Sequence, residues 1–269
     1  MYFTEEHGFI KQSLKIEEKI YETQSKYQHI EVYKSQELGN ILVIDGNAML
    51  SQYDEFIYHE MLSHVPICTH PNPKKVLIIG GGDGGTAREV LKHPSLEVDM
   101  VEIDEDVIEV CKNYFPDIGD WDNPRLNLTI GDGVEFIKKA CDKSYDIIFV
   151  DSTDDKDQAS GLFKSEFYAE CNRVLKDDGM ISVQGSSYFL ALNEHKEILK
   201  KLKNEFAIVM PYRYEMLTYP GVIWNFILAS KVYHPVSDAR VSDIKNLKYY
   251  NEEIHKASFA LPEYLKNAL

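Results

Sequence analysis

What this chain has little of narrows it quickly. Positive charge is scarce: 29 lysines and arginines face 44 aspartates and glutamates, for a formal charge of −15 over 269 residues. A surface that negative discourages a phosphate backbone, so no nucleic-acid partner is expected, and it concentrates cationic ligands. Charge alone does not separate that role from plain solubility. Cysteine is sparse as well. Cys68, Cys111, Cys141 and Cys171 are scattered without a CxxC pair, which leaves neither a disulfide framework nor a zinc site, and no metal is expected. No stretch approaches the roughly 18 apolar residues of a membrane span. The charged opening MYFTEEHGFIKQ is no signal peptide. A cytoplasmic protein with no membrane partner is the expectation. Repeats and low-complexity tracts are missing too, which excludes solenoids and disordered linkers.

Two periodicities are present. From Phe9 to Ser51 the runs IKQSLKIEEKIYE, HIEVYKSQ and ILVIDG alternate apolar and polar residues between polar or glycine turns. That pattern predicts an N-terminal antiparallel β domain over 1–53. DEFIYHEMLSHVPICTH then predicts a helix, capped by Asp54 and stopped before Pro71. After HPNPKK the order becomes strand, helix, strand: VLIIG, EVDMVEID, LNLTIGD and DIIFVDST are near-continuous apolar strands separated by amphipathic stretches. MISVQGS, AIVMPYRYE and IWNFILASK add strands, and EHKEILKKLKNEF a helix. Such strands mark a parallel sheet covered on both faces. Residues 54–269 are therefore expected to form a doubly wound α/β domain, Rossmann-like and of the class I methyltransferase type. The tail YYNEEIHKASFALPEYLKNAL should pack on that domain.

The densest signal is VLIIGGGDGGT at 76–86, a strand followed by five glycines with Asp83 among them. Glycines let the backbone turn sharply and approach a ligand, although they also serve helix–strand packing. A turn built for phosphate presents N–H groups to an anion, and an acid there opposes it. Asp83 therefore points to a cationic or hydroxyl-bearing ligand rather than a dinucleotide. The next strands end in Glu102, in Asp132-Gly133 and in Asp151-Ser152-Thr153-Asp154. Glu102 lies about 20 residues past the glycines, the spacing of an acid that takes ribose hydroxyls. Singly, such acids are usually helix caps, as Asp104 or Asp151 could be. Four in phase on one sheet describe a nucleoside site, and S-adenosylmethionine or a relative fits it, having a sulfonium cation and no phosphate.

The segments YQHIEV (27–32), LVIDG (42–46), DEFIYHEML (54–62), HPNPKKVLIIGGGDGGTAREVLKHP (70–94), VEID (101–104), GDG (131–133), VDSTD (150–154), TYPG (218–221) and IHKASFALP (254–262), with Gln184, run almost end to end. In them the chain resembles the spermidine synthases, or polyamine aminopropyltransferases. The resemblance implies transfer of the aminopropyl group of decarboxylated S-adenosylmethionine, a co-substrate, to a diamine, usually putrescine. Spermidine and methylthioadenosine result, with no separate cofactor. It places the base on Asp151, with Asp154 holding the attacking amine or orienting the aminopropyl chain. It puts Tyr58, Gln184 and Tyr219 in the amine channel, and Gln28 and His59 near the donor's sulfur and amine end. Gly80 and Gly82 form the turn, Asp83 meets the donor's free ammonium, Glu102 takes the ribose hydroxyls, and Asp132 with Gly133 takes the adenine edge. A homodimer or homotetramer joined partly through the N-terminal sheet is implied, with Ile41–Ile44 either a contact or the core of that sheet.

Three stretches depart from the family's pattern. Asp155-Lys156-Asp157-Gln158 stands where the family usually has Pro-x-Gly-Pro, which predicts a looser and more charged gate. Gln184-Gly185-Ser186-Ser187 lacks an acid or amide after the glutamine, and Leu217 replaces a proline before TYPG. The acceptor could therefore be cadaverine, diaminopropane, agmatine or spermidine. A small-molecule methyltransferase using intact S-adenosylmethionine and a non-catalytic nucleoside or polyamine sensor are the readings from other classes.

Overall fold

The computed structural model describes residues 1–153, 157–241 and 243–269, without the side chains of Asp157 and Gln158. Asp154, Asp155 and Lys156 lie outside the described residues, and with them the acid to which the resemblance assigns the amine and much of the departing loop.

Six strands open the chain. β1 (Tyr2–His7) and β2 (Ile10–Lys15) form an antiparallel hairpin. β3 (Glu18–Gln24), β4 (His29–Ser35), β5 (Gly39–Ile44) and β6 (Asn47–Ser51) form a four-stranded antiparallel meander. The sequence expectation of one sheet starting at Phe9 is thus corrected in two places. The first strand begins at Tyr2, and IKQSLKIEEKIYE is split between two sheets at Ile16-Glu17. Ile16 turns inward at that junction and its N–H donates to the Met1 carbonyl at 3.0 Å. Both halves alternate with period two, and alternation does not register a change of partner strand.

Helix α1 (Glu55–Thr69) follows, then β7 (Lys75–Gly80), α2 (Gly85–Leu91), β8 (Glu97–Glu102), α3 (Glu105–Tyr114), β9 (Leu126–Ile130), α4 (Gly133–Lys139) and β10 (Tyr145–Asp151). A 3₁₀ segment (Asp157–Phe163) precedes α5 (Ser165–Val174), β11 (Leu175–Gln184), α6 (Leu192–Glu205), β12 (Ile208–Glu215), β13 (Ile223–Ser230), α7 (Glu252–Ser258) and α8 (Glu263–Lys266). The large sheet has the order β12-β13-β11-β10-β7-β8-β9, with every strand parallel except β13, which pairs antiparallel with both β11 and β12. Alternate residues of each strand bury on opposite faces. Val76 and Ile78 pack with Met61, Leu62 and Val65 of α1, while Leu77 and Ile79 pack with Ile137 of α4 and Phe167 and Cys171 of α5. The doubly wound α/β expectation is met, with an antiparallel edge added.

Because β8 and β10 lie on either side of β7, successive crossovers leave β7 in opposite directions. A crevice opens there beyond the carboxyl ends of the strands, where ligands of such sheets bind. The N-terminal sheet closes one side of it. Leu42 and Ile44 pack against Val107, Val110 and Cys111 of α3 and Phe115 at its C-cap, while Ile41 and Val43 face Phe3 and Leu14 of the hairpin and Ile16 just after it. Ile41–Ile44 are buried within the chain and so form the core of their sheet rather than a contact between copies. Among the described residues no helix is long and apolar enough to cross a membrane.

The tail packs on the large domain as expected, through a carboxylate. Glu60 on α1 is buried and accepts from the backbone N–H groups of Lys248, Tyr249 and Tyr250 at 2.8, 2.9 and 2.8 Å. Removing an acceptor from three buried donors is costly. Glu60→Ala should lower stability by about 3 kcal/mol. It should also speed amide hydrogen exchange at 248–250 and in α7, and unchanged exchange there would dismiss the clamp.

Candidate active site

A cavity of about 590 Å³ fills the crevice, lined by the ends of β7, β8, β10 and β11 and by residues of the N-terminal sheet. Its floor is the pairing of β7 with β10, where Gly80 lies opposite Asp151. Gly80 has φ +86°, and a Cβ there would sit 2.0 Å from the Asp151 carbonyl oxygen. Gly81 N–H donates to that same carbonyl at 2.8 Å. A Cβ at Gly85 would meet the His59 ring at 2.3 Å. The glycines are thus required first by contacts within the chain, which hold the turn against Asp151 and His59.

The Asp151 carboxylate is buried and held at both oxygens. Tyr58 Oη donates to Oδ1 at 2.8 Å and Thr86 Oγ1 to Oδ2 at 2.6 Å. It caps no helix. Burial, with the Asp83 charge nearby, pushes its pKa up to about 6. Burial also holds the Tyr58 phenol well above its usual range, so it stays a donor.

Asp83 lies at the start of α2, where nucleotide folds seat a phosphate. Its Oδ1 accepts from Gly85 N–H at 2.6 Å and lies 3.2 Å from His59 Nε2. On the other side of the ring, His59 Nδ1 is 2.6 Å from Glu55 Oε2. With a carboxylate on each nitrogen the ring is an imidazolium. Burial opposes the charge, yet Asp83 and Glu55 outweigh it and hold the His59 pKa up at about 10. Burial likewise works against the Asp83 anion, but His59 and the Gly85 N–H keep its pKa below the usual value. Arg88 extends the chain of charges, clasping both Glu55 oxygens at 3.1 and 3.0 Å and reaching Glu89 at 2.8 Å.

Glu102 is buried at the end of β8, and its Oε1 accepts from Asp104 N–H at 2.9 Å. Burial raises its pKa to about 7. Asp132 accepts from Val134 and Glu135 N–H at 2.7 and 3.2 Å, so it caps α4 while lining the cavity beside Gly133. Asp104 caps α3 and receives Ser25 Oγ at 2.6 Å and Gln28 Nε2 at 2.9 Å, tying the N-terminal sheet to the large one. Asp54 stands at the N-cap position of α1 as predicted, but its side chain makes no capping hydrogen bond. Its carboxylate is taken by Ser51 Oγ at 2.7 Å, by the Thr218 N–H at 2.9 Å and by the Thr218 hydroxyl at 2.5 Å. Tyr219, placed by that contact, donates to the Met49 carbonyl at 2.8 Å and packs edge-on to Tyr58 and Trp224. Gln184 lines the same wall.

The cavity therefore brings together Gln28, Tyr58, His59, Gly80, Gly82, Asp83, Glu102, Asp132, Gly133, Asp151, Gln184 and Tyr219. Sequence reasoning missed Thr86, Glu55 and Arg88, although the i, i+4 spacing of Glu55 and His59 was a usable signal. It also missed Glu5, His7 and Trp224, which line the end next to the N-terminal hairpin. Nothing local marks those three. Among the described residues, two clusters with metal-ligand spacing lie elsewhere, Glu22–His29–Glu31 and His70–Asp146–Asp178. In the first, Lys19 already sits 2.7 and 2.9 Å from the two glutamates. In the second, His70 Nδ1 accepts from Asn72 N–H, which favours the neutral ring with its proton on Nε2, and ligation there would cost that hydrogen bond.

The His59 shift has a sign. Its charge pairing stabilises the fold fully below pH 6.5 and is lost as pH rises toward about 10. Glu55→Gln should bring the imidazole pKa down by about one to two units, read from its NMR ring titration. An unmoved titration would leave Asp83 as its sole counter-ion.

Comparison with known proteins adds an independent line. The Spermine/spermidine synthase domain family matches residues 55–238, and the Spermidine synthase tetramerisation domain matches 1–52. The polyamine aminopropyltransferase of Methanocaldococcus jannaschii is 44% identical, over 100% of this chain and 95% of its own. That of Clostridioides difficile is 45% identical, over 100% and 98%. Among solved structures, a spermidine synthase in complex with the transition-state analogue AdoDATO superposes with a TM-score of 0.96 at 40% identity, covering 100% of this chain and 94% of that one. Spermidine synthase from Thermotoga maritima gives 0.95 at 40% identity and the same coverage. The chain belongs to the spermine/spermidine synthase family, the polyamine aminopropyltransferases, and is a transferase.

Proposed function

We propose that the enzyme moves the aminopropyl group of decarboxylated S-adenosylmethionine to putrescine, giving spermidine and methylthioadenosine, with Asp151 as the base. One observation supports this most: a buried carboxylate, held by Tyr58 and Thr86, facing the same cavity as Asp83 and Glu102. The transferase class comes from family membership; the roles of individual residues are the proposal.

An alkyl ammonium with a lysine-like pKa of about 10.4 must lose a proton before its nitrogen can attack. The amine nitrogen then displaces sulfur at the methylene beside the sulfonium. A C–N bond forms, the C–S bond breaks, and its electron pair returns to sulfur. The proton goes to Asp151. Raising that carboxyl from 3.8 to about 6 removes about two pKa units of mismatch, or ~3 kcal/mol. Tyr58, Gln184 and Tyr219 would wall the amine's methylenes and face its ammonium groups, and aromatic faces attract such cations. Asp154 would hold the amine. On the donor side Glu102 would take the ribose hydroxyls, and Asp132 with Gly133 the adenine edge. Gly80 and Gly82 would admit the nucleoside, with Gln28 and His59 near the sulfur and aminopropyl end.

Asp83 would pair with the donor's free ammonium and disfavour the carboxylate of the undecarboxylated molecule. The reaction as proposed calls on no further cofactor or metal. A cytosolic homodimer or homotetramer, joined partly through the N-terminal region, accords with the tetramerisation-domain match.

Purified protein incubated with decarboxylated or intact S-adenosylmethionine and a panel of diamines, with methylthioadenosine read by mass spectrometry, tests the whole. Putrescine with the decarboxylated donor should give the highest rate. A different best amine would reassign the acceptor, and no product from any amine would sink the enzyme reading. Asp151→Asn should lower turnover by about 10²- to 10⁴-fold while methylthioadenosine affinity stays within about threefold. Asp83→Ala should narrow the preference for the decarboxylated over the intact donor by about tenfold, and an unchanged ratio would remove Asp83 from donor selection.

A further inference from the structure

The Asp151 carboxylate receives one donor on each oxygen, from different helices. Tyr58 comes from the first turn of α1 and Thr86 from the first turn of α2. Tyr58 was legible from the resemblance, whereas Thr86 belonged to no sequence expectation except as the start of a helix. Its side chain is fully buried, and its hydroxyl has a single proton to give. That proton goes to Oδ2 at 2.6 Å, the shorter of the two contacts.

We propose that Thr86 is a positioning residue for Asp151: its hydroxyl locks the carboxylate plane and leaves the free lone pairs facing the amine. The inference rests on the assignment of Asp151 as base. With a donor on each oxygen, the carboxylate cannot turn about its Cβ–Cγ bond without breaking a charge-assisted hydrogen bond. The remaining lone pairs then keep a fixed direction, which general-base geometry requires. In the reaction the ammonium's proton first moves to one of those lone pairs, and the nitrogen pair so freed then forms the C–N bond as the C–S pair passes to sulfur. No other reactant is needed.

Thr86 also bears on when the base is ionised. The groups around Asp151 are Asp83 in the glycine turn, Glu102 on β8, and His59 and Tyr58 on α1, besides Thr86 on α2. Burial and the Asp83 charge favour the neutral acid, while His59, Thr86 and Tyr58 favour the anion. A hydrogen bond to a carboxylate favours the anion, and its loss should raise the pKa by about one unit. Thr86 thus helps keep the carboxyl ionised at neutral pH despite its burial. Valine would keep nearly the same volume and remove only the donor. Serine would keep the donor and remove only the methyl group.

The test compares wild type, Thr86→Val and Thr86→Ser in two measurements. The first is the ¹³C carboxyl titration of Asp151 in the free enzyme, its resonance assigned by its loss in Asp151→Asn. The second is kcat against pH at saturating donor and putrescine. Thr86→Val should move the titration and the acid limb of kcat up by about one unit, and Thr86→Ser should restore both. The valine variant should then turn over about fivefold more slowly near pH 9, where the carboxyl is ionised in both enzymes and only its orientation differs, and a further fivefold more slowly near pH 6. Methylthioadenosine affinity and Tm reported alongside would show that the fold is kept. An unmoved carboxyl titration in Thr86→Val, an unchanged kcat on the plateau near pH 9, or changes that serine fails to reverse would overturn the proposal. If the titration moves while no diamine gives product even with wild type, Thr86 still positions Asp151 and the acceptor and reaction assignments are what fail.

Discussion

The close approach of β7 and β10 at Gly80 and Asp151 is the constraint on which the rest of the structure depends. At that point the winding of the sheet reverses, so the crossover helices diverge and a crevice opens. The main chain seals its floor: the Asp151 carbonyl accepts from Gly81 N–H, and only a residue without Cβ fits at 80. The same seal sets the Asp151 side chain between the first turns of α1 and α2. There, Tyr58 and Thr86 reach it without any movement of backbone. Turn, buried carboxylate and cavity are consequences of one strand pairing.

Acids crowded around a single cavity repel one another, and the fold answers that with charge from behind. Asp83, Asp151 and Glu102 all line the crevice. Burial drives Asp151 and Glu102 toward neutrality, whereas Asp83 keeps its charge because His59 sits against it. His59 in turn is held by Glu55, and Glu55 by Arg88. The order of pKa values, low at Asp83 and raised at Asp151 and Glu102, follows from which acid touches the imidazolium. Groups of one chemical type are thereby pushed toward different roles by their surroundings.

Much of this was legible in the residues. Continuous apolar strands alternating with amphipathic helices fixed the doubly wound sheet, and strand-end polar residues in phase located the crevice. What misled was local patterning where partners are distant. Asp54 looked like a helix cap, yet Thr218, 164 residues away, takes its carboxylate. IKQSLKIEEKIYE alternates throughout and still serves two sheets. Conversely, Asp132 is both the ordinary helix cap and a cavity residue, because the N-terminus of α4 opens onto the crevice.

The sequence alone determined the class of fold, the family and the identity of the acids in the site. Those depend on local periodicity and on motifs contiguous in the chain. Tertiary structure alone decided which groups each acid faces: His59 on Asp83, Thr86 and Tyr58 on Asp151, Asp104 linking Gln28 to the start of α3. It also decided that Ile41–Ile44 are interior and that Glu5, His7 and Trp224 share the cavity with a glycine turn some 70 to 140 residues away. Protonation, orientation and reach are properties of contacts between distant segments, and such contacts exist only once the sheets have closed around the crevice.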